Sequence, residues 1–204
     1  MQPAGKIVVI SPHFEDAVFS CGAWLAARPG ATVLTVYSGV PASGVPVSDW
    51  DRRCGFERAD QAVLARQAEN QAALALLGAR GLGLGLLTDQ YGASLGESGR
   101  LTGVLAAALT TLRPDIVLMP LGVFQRDSLR ASEAALAVWQ LFRASMDNTW
   151  LAYEEALYRA RPGLVQHRLA ELRAQDISAT PLAGPQYLGD RKVRAVAACA
   201  SQLG

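Results

Sequence analysis

This chain predicts an α/β fold: one mostly parallel sheet flanked by helices on both faces, in a single domain over 1–204. Three observations carry the prediction. Apolar runs without alternation, Ile7-Val8-Val9-Ile10 and Ile116-Val117-Leu118-Met119, read as strands buried on both sides, as parallel strands are. Segments with apolar residues at helical spacing lie between such runs. Half of the 204 residues are apolar and the net charge is +1, enough for one sizeable core.

Residues 6–11 form the first strand. Residues 16–28 place Ala17, Val18, Cys21, Trp24 and Leu25 on one helical face. Ala31–Ser38 is a β-branched strand, followed by a loop rich in Gly, Pro and Ser (39–49) whose length suits a functional lid. With its continuation to residue 57 it is expected to shape the pocket. Asp60–Leu77 is a helix that Gly78 ends as a left-handed cap. Gly81–Leu87 is a short strand, and 98–112 a helix stopped before Pro114. Asp115–Pro120 is another buried strand, Ser128–Met146 an amphipathic helix and Thr149–Glu154 a last strand. Two helices are expected near 164–174 and 190–202.

Composition excludes several classes of function. Near-neutral charge gives no electrostatic reason for a nucleic-acid or anionic-membrane partner. No apolar stretch approaches the roughly 20 residues that span a bilayer. The three cysteines, Cys21, Cys54 and Cys199, follow no C-x-x-C spacing, and the N-terminus enters a strand without a charged-then-apolar leader. A cytoplasmic protein with reduced thiols is expected. Only His13 and His167 are available as imidazoles, so neither a three-His nor an H-E-x-x-H zinc site fits within one chain.

The most informative stretch is S-P-H-F-E-D (11–16), directly after the first strand. In an open α/β sheet, ligands and catalytic groups gather at the carboxyl ends of strands. His13 and Asp16 can share one metal ion, leaving Glu15 as a base, which makes a metal hydrolase the first hypothesis. The plain alternative is a helix start, where acidic residues suit the macrodipole.

Several stretches together resemble the PIG-L (LmbE-like) de-N-acetylase family. S-P-H-F-E-D-A-V-F-S-C-G (11–22) is similar to its P-H-x-D-D-x-V-x-S-C-G opening. W-D-R-R-C-G-F (50–56) leads into a helix that resembles its R-x-x-E element, with Arg66 and Glu69. D-I-V-L-M-P-L-G-V (115–123) is similar to the strand before its second metal motif. Further echoes are T-D-Q-Y (88–91), A-Y-E-E-A-L-Y (152–158) and K-V-R-A-V-A-A-C-A-S-Q (192–202).

The resemblance implies a Rossmann-like sheet and zinc-dependent removal of acetyl groups from N-acetylglucosamine-type compounds, hence a small amino-sugar-like ligand. It makes His13 and Asp16 metal ligands, Glu15 the general base and Arg66 a substrate-facing residue. The family's H-x-D-H motif corresponds here to Gln125-Arg126-Asp127-Ser128. Asp127 survives, Gln125 stands where a transition-state histidine is expected, and Ser128 stands where the third ligand is expected. A neutral serine hydroxyl is a poor zinc ligand, so the zinc site is compromised.

Local alternatives stand beside these roles. Asp127 or Ser128 suits the N-cap of the following helix. Arg66 and Glu69, three apart, also suit a surface ion pair. Glu154 and Glu155 suit either the pocket or solvent, His167 suits an exposed helix face, and Cys21 a buried apolar one. Gly81–Gly85 lacks phosphate-loop spacing.

Three functions follow. The first is a metal-dependent amidohydrolase whose third ligand comes from Ser128, from Asp127 or from a partner chain, so homo-oligomerisation is compatible with it. The second is a non-catalytic protein that binds a sugar-like molecule or serves as a partner subunit. The third is metal-free hydrolysis by Asp127 and Glu15 as an acid–base pair.

Overall fold

Every residue of Ile7–Ser11 is buried, as the central strand of a parallel sheet requires. The computed structural model describes residues 5–92, 98–184 and 189–203. Its strands are β1 (Ile7–Ser11), β2 (Thr32–Thr35), β3 (Arg80–Gly83), β4 (Ile116–Pro120) and β5 (Thr149–Tyr153). They lie in the order β3-β2-β1-β4-β5, and all four pairings are parallel. The helices are α1 (Asp16–Ala27), α2 (Asp49–Arg53), α3 (Ala59–Leu77), α4 (Ser98–Leu112), α5 (Arg126–Phe142), α6 (Leu164–Arg173) and α7 (Arg191–Ala198).

Strand alternation distributes the core to both faces. Ile7 and Val9 pack with Val18 and Leu25 of α1, Leu74 and Leu77 of α3, and Ala195 of α7. Val8 and Ile10 pack on the other side with Leu105 and Leu109 of α4 and Ala131 and Val138 of α5. No helix among the described residues is long and apolar enough to cross a membrane. The described cysteines are free, Cys21 and Cys199 buried and Cys54 half-buried.

The elements differ from their sequence-based bounds where side chains found other partners. The 39–57 segment is not all loop: Ser48 caps the short helix α2 by accepting from the Asp51 N–H at 3.1 Å. Strand β3 stops at Gly83, just before the chain turns through Gly85 at a φ of +74°, and it is exposed along its length. Helix α5 begins at Arg126 with Gln125 at its N-cap, so neither Asp127 nor Ser128 caps it. It ends at Phe142, whose carbonyl accepts from both Ser145 and Met146 N–H groups. Helix α7 gives way after Ala198 to a single tight turn over Ala200–Gln202.

Strand order reverses beside β1, so the loops leaving β1 and β4 diverge and open a crevice at their carboxyl ends. The loop after β4 is fixed from below. Gly122 takes a φ of +76°, and a Cβ there would stand 2.7 Å from the Ser132 Cβ, so only glycine lets the chain fold back onto α5. The buried Glu155 carboxylate accepts from the Gly122 and Val123 N–H groups at 3.0 and 3.2 Å. Arg168 and Ser132 both donate to the Leu121 carbonyl. Glu155 is therefore neither solvent-facing nor in the pocket wall; it is a strut under the loop, while Glu154 is exposed.

Burial pushes the Glu155 carboxyl up to about 7, against the pull of those two N–H groups. An acid raised in the folded state stabilises the fold while protonated. Its contribution is whole below the ordinary value of 4.5 and is lost as pH climbs through 7. Glu155→Gln keeps an acceptor for the loop and cannot ionise. Thermal unfolding between pH 5 and 8 is expected to show a steeper loss of stability with rising pH in the parent than in this variant. Equal slopes would place the titration elsewhere.

Candidate functional site

The crevice is built from the ends of β1 and β4. Ser11 closes β1 by donating to the His13 carbonyl at 2.6 Å and accepting from the Ala17 N–H at 3.0 Å, which turns S-P-H-F-E-D inward and starts α1. The Asp16 carboxylate folds back over this turn. One of its oxygens accepts from the His13 backbone N–H at 2.8 Å and lies 3.2 Å from His13 Nδ1. From the opposite loop, Asp127 in the first turn of α5 places a carboxylate oxygen 3.1 Å from His13 Nε2. Tyr37 stacks on the imidazole, with ring centroids 5.7 Å apart.

Both nitrogens of His13 thus face carboxylates. Burial opposes a charged imidazole, but the bonds to Asp127 and Asp16 outweigh it and raise His13 to about 10. Glu15 is pushed up to about 7, first by burial and then by the Asp16 charge. His13 thus favours its charged form between two carboxylates, beside a Glu15 that favours its neutral one.

Ligand atoms of His13, Glu15 and Asp16 all lie within 4.8 Å of one another. One imidazole and two carboxylates match the donors that zinc and similar divalent ions take. Asp127 keeps a second, buried oxygen without a hydrogen-bond partner among the described residues, close to this cluster through His13. The donor set fits a divalent cation, which would compete with the proton on His13.

Ser128 is fully buried, and its hydroxyl has no hydrogen-bond partner among the described residues. Gln125 lines the pocket, and its carbonyl accepts from the Leu129 N–H. The pocket has a volume of about 450 Å³, within the range of small-molecule sites. His13, Glu15 and Asp16 line it together with the buried Arg66, Tyr37 and Tyr91 and with Tyr158 and the exposed Trp50 and Leu157.

Arg66 is buried and does not form a surface pair with Glu69. Its Nη2 lies 2.7 Å from Asp51 Oδ1, and its guanidinium stands 5.6 Å from the Phe56 ring centroid. The same Asp51 carboxylate accepts from Tyr91 at 2.8 Å and from Ser48 at 2.7 Å. Glu69 instead accepts from the backbone N–H and hydroxyl of Ser201, clipping the C-terminal turn to α3. His167 is exposed and pairs with Glu171, as a solvated helix residue does. Asp51, Tyr37 and Tyr158 escaped sequence reasoning. Asp51 carried a signal, an acidic residue in W-D-R-R-C-G-F ahead of the Arg66 helix, but nothing in its spacing tells that the two pair.

No protein-family model matches this sequence, and no curated protein matches it. Solved structures do. The A40926 pseudoaglycone deacetylase Dbv21 is 24% identical, with a TM-score of 0.74 over 98% of this chain and 84% of that one. The zinc inhibited form of teicoplanin deacetylase Orf2 is 20% identical, with a TM-score of 0.76 over 97% and 84%. The N,N'-diacetylchitobiose deacetylase from Pyrococcus horikoshii is 15% identical, with a TM-score of 0.53 over 98% and 72%. At these identities the likeness establishes the fold, and the fold is the Rossmann-like one that the sequence resemblance implied.

Removing Asp51 would leave the buried Arg66 guanidinium uncompensated. Asp51→Ala is expected to cost about 3–5 kcal/mol, a drop in Tm of about 10 °C or more for a chain of this size. Asp51→Leu combined with Arg66→Met should recover part of that loss. A single variant that melts with the parent would show that Arg66 does not depend on the pair.

Proposed function

We propose that the chain is a metal-dependent N-deacetylase of the PIG-L/LmbE kind, an amidohydrolase acting on an N-acetylglucosamine-type compound. The observation that carries this reading is the cluster of His13, Glu15 and Asp16 lining a pocket at the switch point of the sheet. The shared fold with solved deacetylases supports it.

His13 and Asp16 would hold the ion, with the third ligand from Asp127, which leaves Glu15 free as the base. When bound, the ion would polarise the acetyl carbonyl and lower the pKa of water. The chain's own groups divide the remaining work. Glu15, raised towards neutrality by burial, takes the proton of the attacking water and returns it to the leaving amine nitrogen as the C–N bond breaks. Acetate and the free amino sugar are the products. Tyr37 holds the imidazole plane, and Asp127 orients His13 from the β4 side. Gln125 presents a neutral amide where the family resemblance leads one to expect histidine; it can donate to the acetyl oxygen but carries no charge to it.

A second reading is favoured by Ser128 and Gln125 themselves. With no histidine in the second motif, the pocket would bind an amino-sugar conjugate without hydrolysing it.

The two separate in one experiment. Zinc titration by calorimetry, in buffers of different protonation enthalpy, is expected to show about one ion bound with release of about one proton from His13, lost in His13→Ala. Acetate release from an N-acetylglucosamine conjugate should depend on added zinc and fall by about 100-fold or more in Glu15→Gln. Sugar binding without acetate release at any zinc concentration would establish the second reading.

A further inference from the structure

Gln202 lines the pocket, and none of the roles above uses it. It comes from the single tight turn over Ala200–Gln202 that follows α7, and the nearest lining residue in sequence is Tyr158. So short a turn has little stability of its own. Its backbone bonds run from the Gln202 N–H to the Cys199 carbonyl at 3.0 Å and from the Leu203 N–H to the Ala200 carbonyl at 3.2 Å.

The place of the turn is set from outside it. Cys199 is buried in the same core cluster as Leu74 and Leu77 of α3. Glu69, also on α3, gives both carboxylate oxygens to Ser201: Oε1 accepts from the Ser201 N–H at 3.0 Å and Oε2 from its hydroxyl at 2.7 Å. Arg66, three residues earlier on that helix, lines the pocket, so one helix carries both Arg66 and the clip. Burial, and then the charges of Glu15 and Glu69, push the Cys199 thiol up to about 12, which sets the turn beside the residue assigned as base.

Glu69 itself is not among the lining residues, and its oxygens are engaged by Ser201. The residue that the clip delivers to the pocket is the next one, Gln202. Its neutral primary amide has two N–H donors and a carbonyl acceptor. A hydroxyl both donates and accepts, so such an amide takes one in either sense or bridges two neighbours. We infer that Gln202 is a specificity-determining residue that pairs with ring hydroxyls of the amino sugar, and that Glu69 is its positioning residue, acting through Ser201. The inference rests on the deacetylase reading of the pocket, which supplies the hydroxyl-bearing ligand.

Calorimetry of the full chain with N-acetylglucosamine tests it. Gln202→Ala is expected to weaken binding about three- to tenfold, as the loss of one or two neutral hydrogen bonds gives. Glu69→Ala should weaken it by a similar factor although Gln202 is intact, and Ser201→Ala, which removes the hydroxyl leg alone, by less. Glu69→Gln should restore most of the parent affinity, because its amide oxygen accepts from the Ser201 N–H and its amide nitrogen donates to the hydroxyl oxygen. Combining Glu69→Ala with Gln202→Ala should cost no more than Gln202→Ala alone, since both remove one interaction. Zinc binding should match the parent throughout.

Parent-like affinity in Gln202→Ala would overturn the inference. So would losses that add in the double variant, a Glu69→Gln that binds as poorly as Glu69→Ala, or a parent that does not bind the sugar. Should Glu69→Ala fail to fold, Gln202→Ala and Ser201→Ala decide. Affinity that depends on Gln202 in a protein releasing no acetate at any zinc concentration would keep this inference and sink the deacetylase reading. Acetate release with affinity indifferent to Gln202 would do the reverse.

Discussion

His13 is held between two carboxylates that arrive from different strands, and the site depends on that clamp. Asp16 belongs to the turn after β1 and Asp127 to the first turn after β4. The strand order reverses between those two strands, so nothing in the sheet's own hydrogen bonding ties their loops together above it. The imidazole does. Its charge is stabilised from both sides strongly enough to overcome burial. The two carboxylates repel one another without a cation between them, and with His13 they become a ligand set when a metal ion is present, the ion and the proton being alternative occupants of the same negative field.

The surroundings of the clamp are built to keep it in place. On the β4 side, Glu155, Arg168 and Ser132 satisfy the backbone of Leu121, Gly122 and Val123 from inside the protein. On the other side, Asp51 gathers Ser48, Tyr91 and Arg66 into one buried network. That network anchors α2, and α2 carries Trp50, another lining residue. The parts of the pocket are thus fixed by separate polar networks, each buried where water cannot substitute for its members. Breaking one would cost stability before it altered the chemistry of the next.

The fold was legible because its signal is local. Unalternating strands, a glycine stop at Gly78 and helical periodicity name the elements, and parallel pairing follows from their alternation. His13, Glu15 and Asp16 were legible for the same reason, sitting within four residues of each other at a strand end. Asp127 was readable as a survivor of a motif, but not as the partner of His13 Nε2, because that contact spans 114 residues. Arg66 shows the limit more sharply. Its nearest opposite charge in sequence is Glu69, yet the buried partner is Asp51, and Glu69 serves the C-terminal turn. Periodicity places a residue on a face; it does not say which distant acid meets it there. Gln125 sits at the helix N-cap without a capping side-chain bond, while Asp127 in the first turn directs a carboxylate oxygen to His13, a contact that local capping rules do not foresee.

The most direct test is the ring-proton NMR titration of His13, with and without zinc. In metal-free protein the His13 ring should stay protonated well past pH 8, in keeping with a value raised to about 10, and added zinc should displace that proton and shift the His13 signals at neutral pH. A His13 that titrates near the ordinary 6.5 and ignores zinc would contradict both the clamp and the metal seat built upon it.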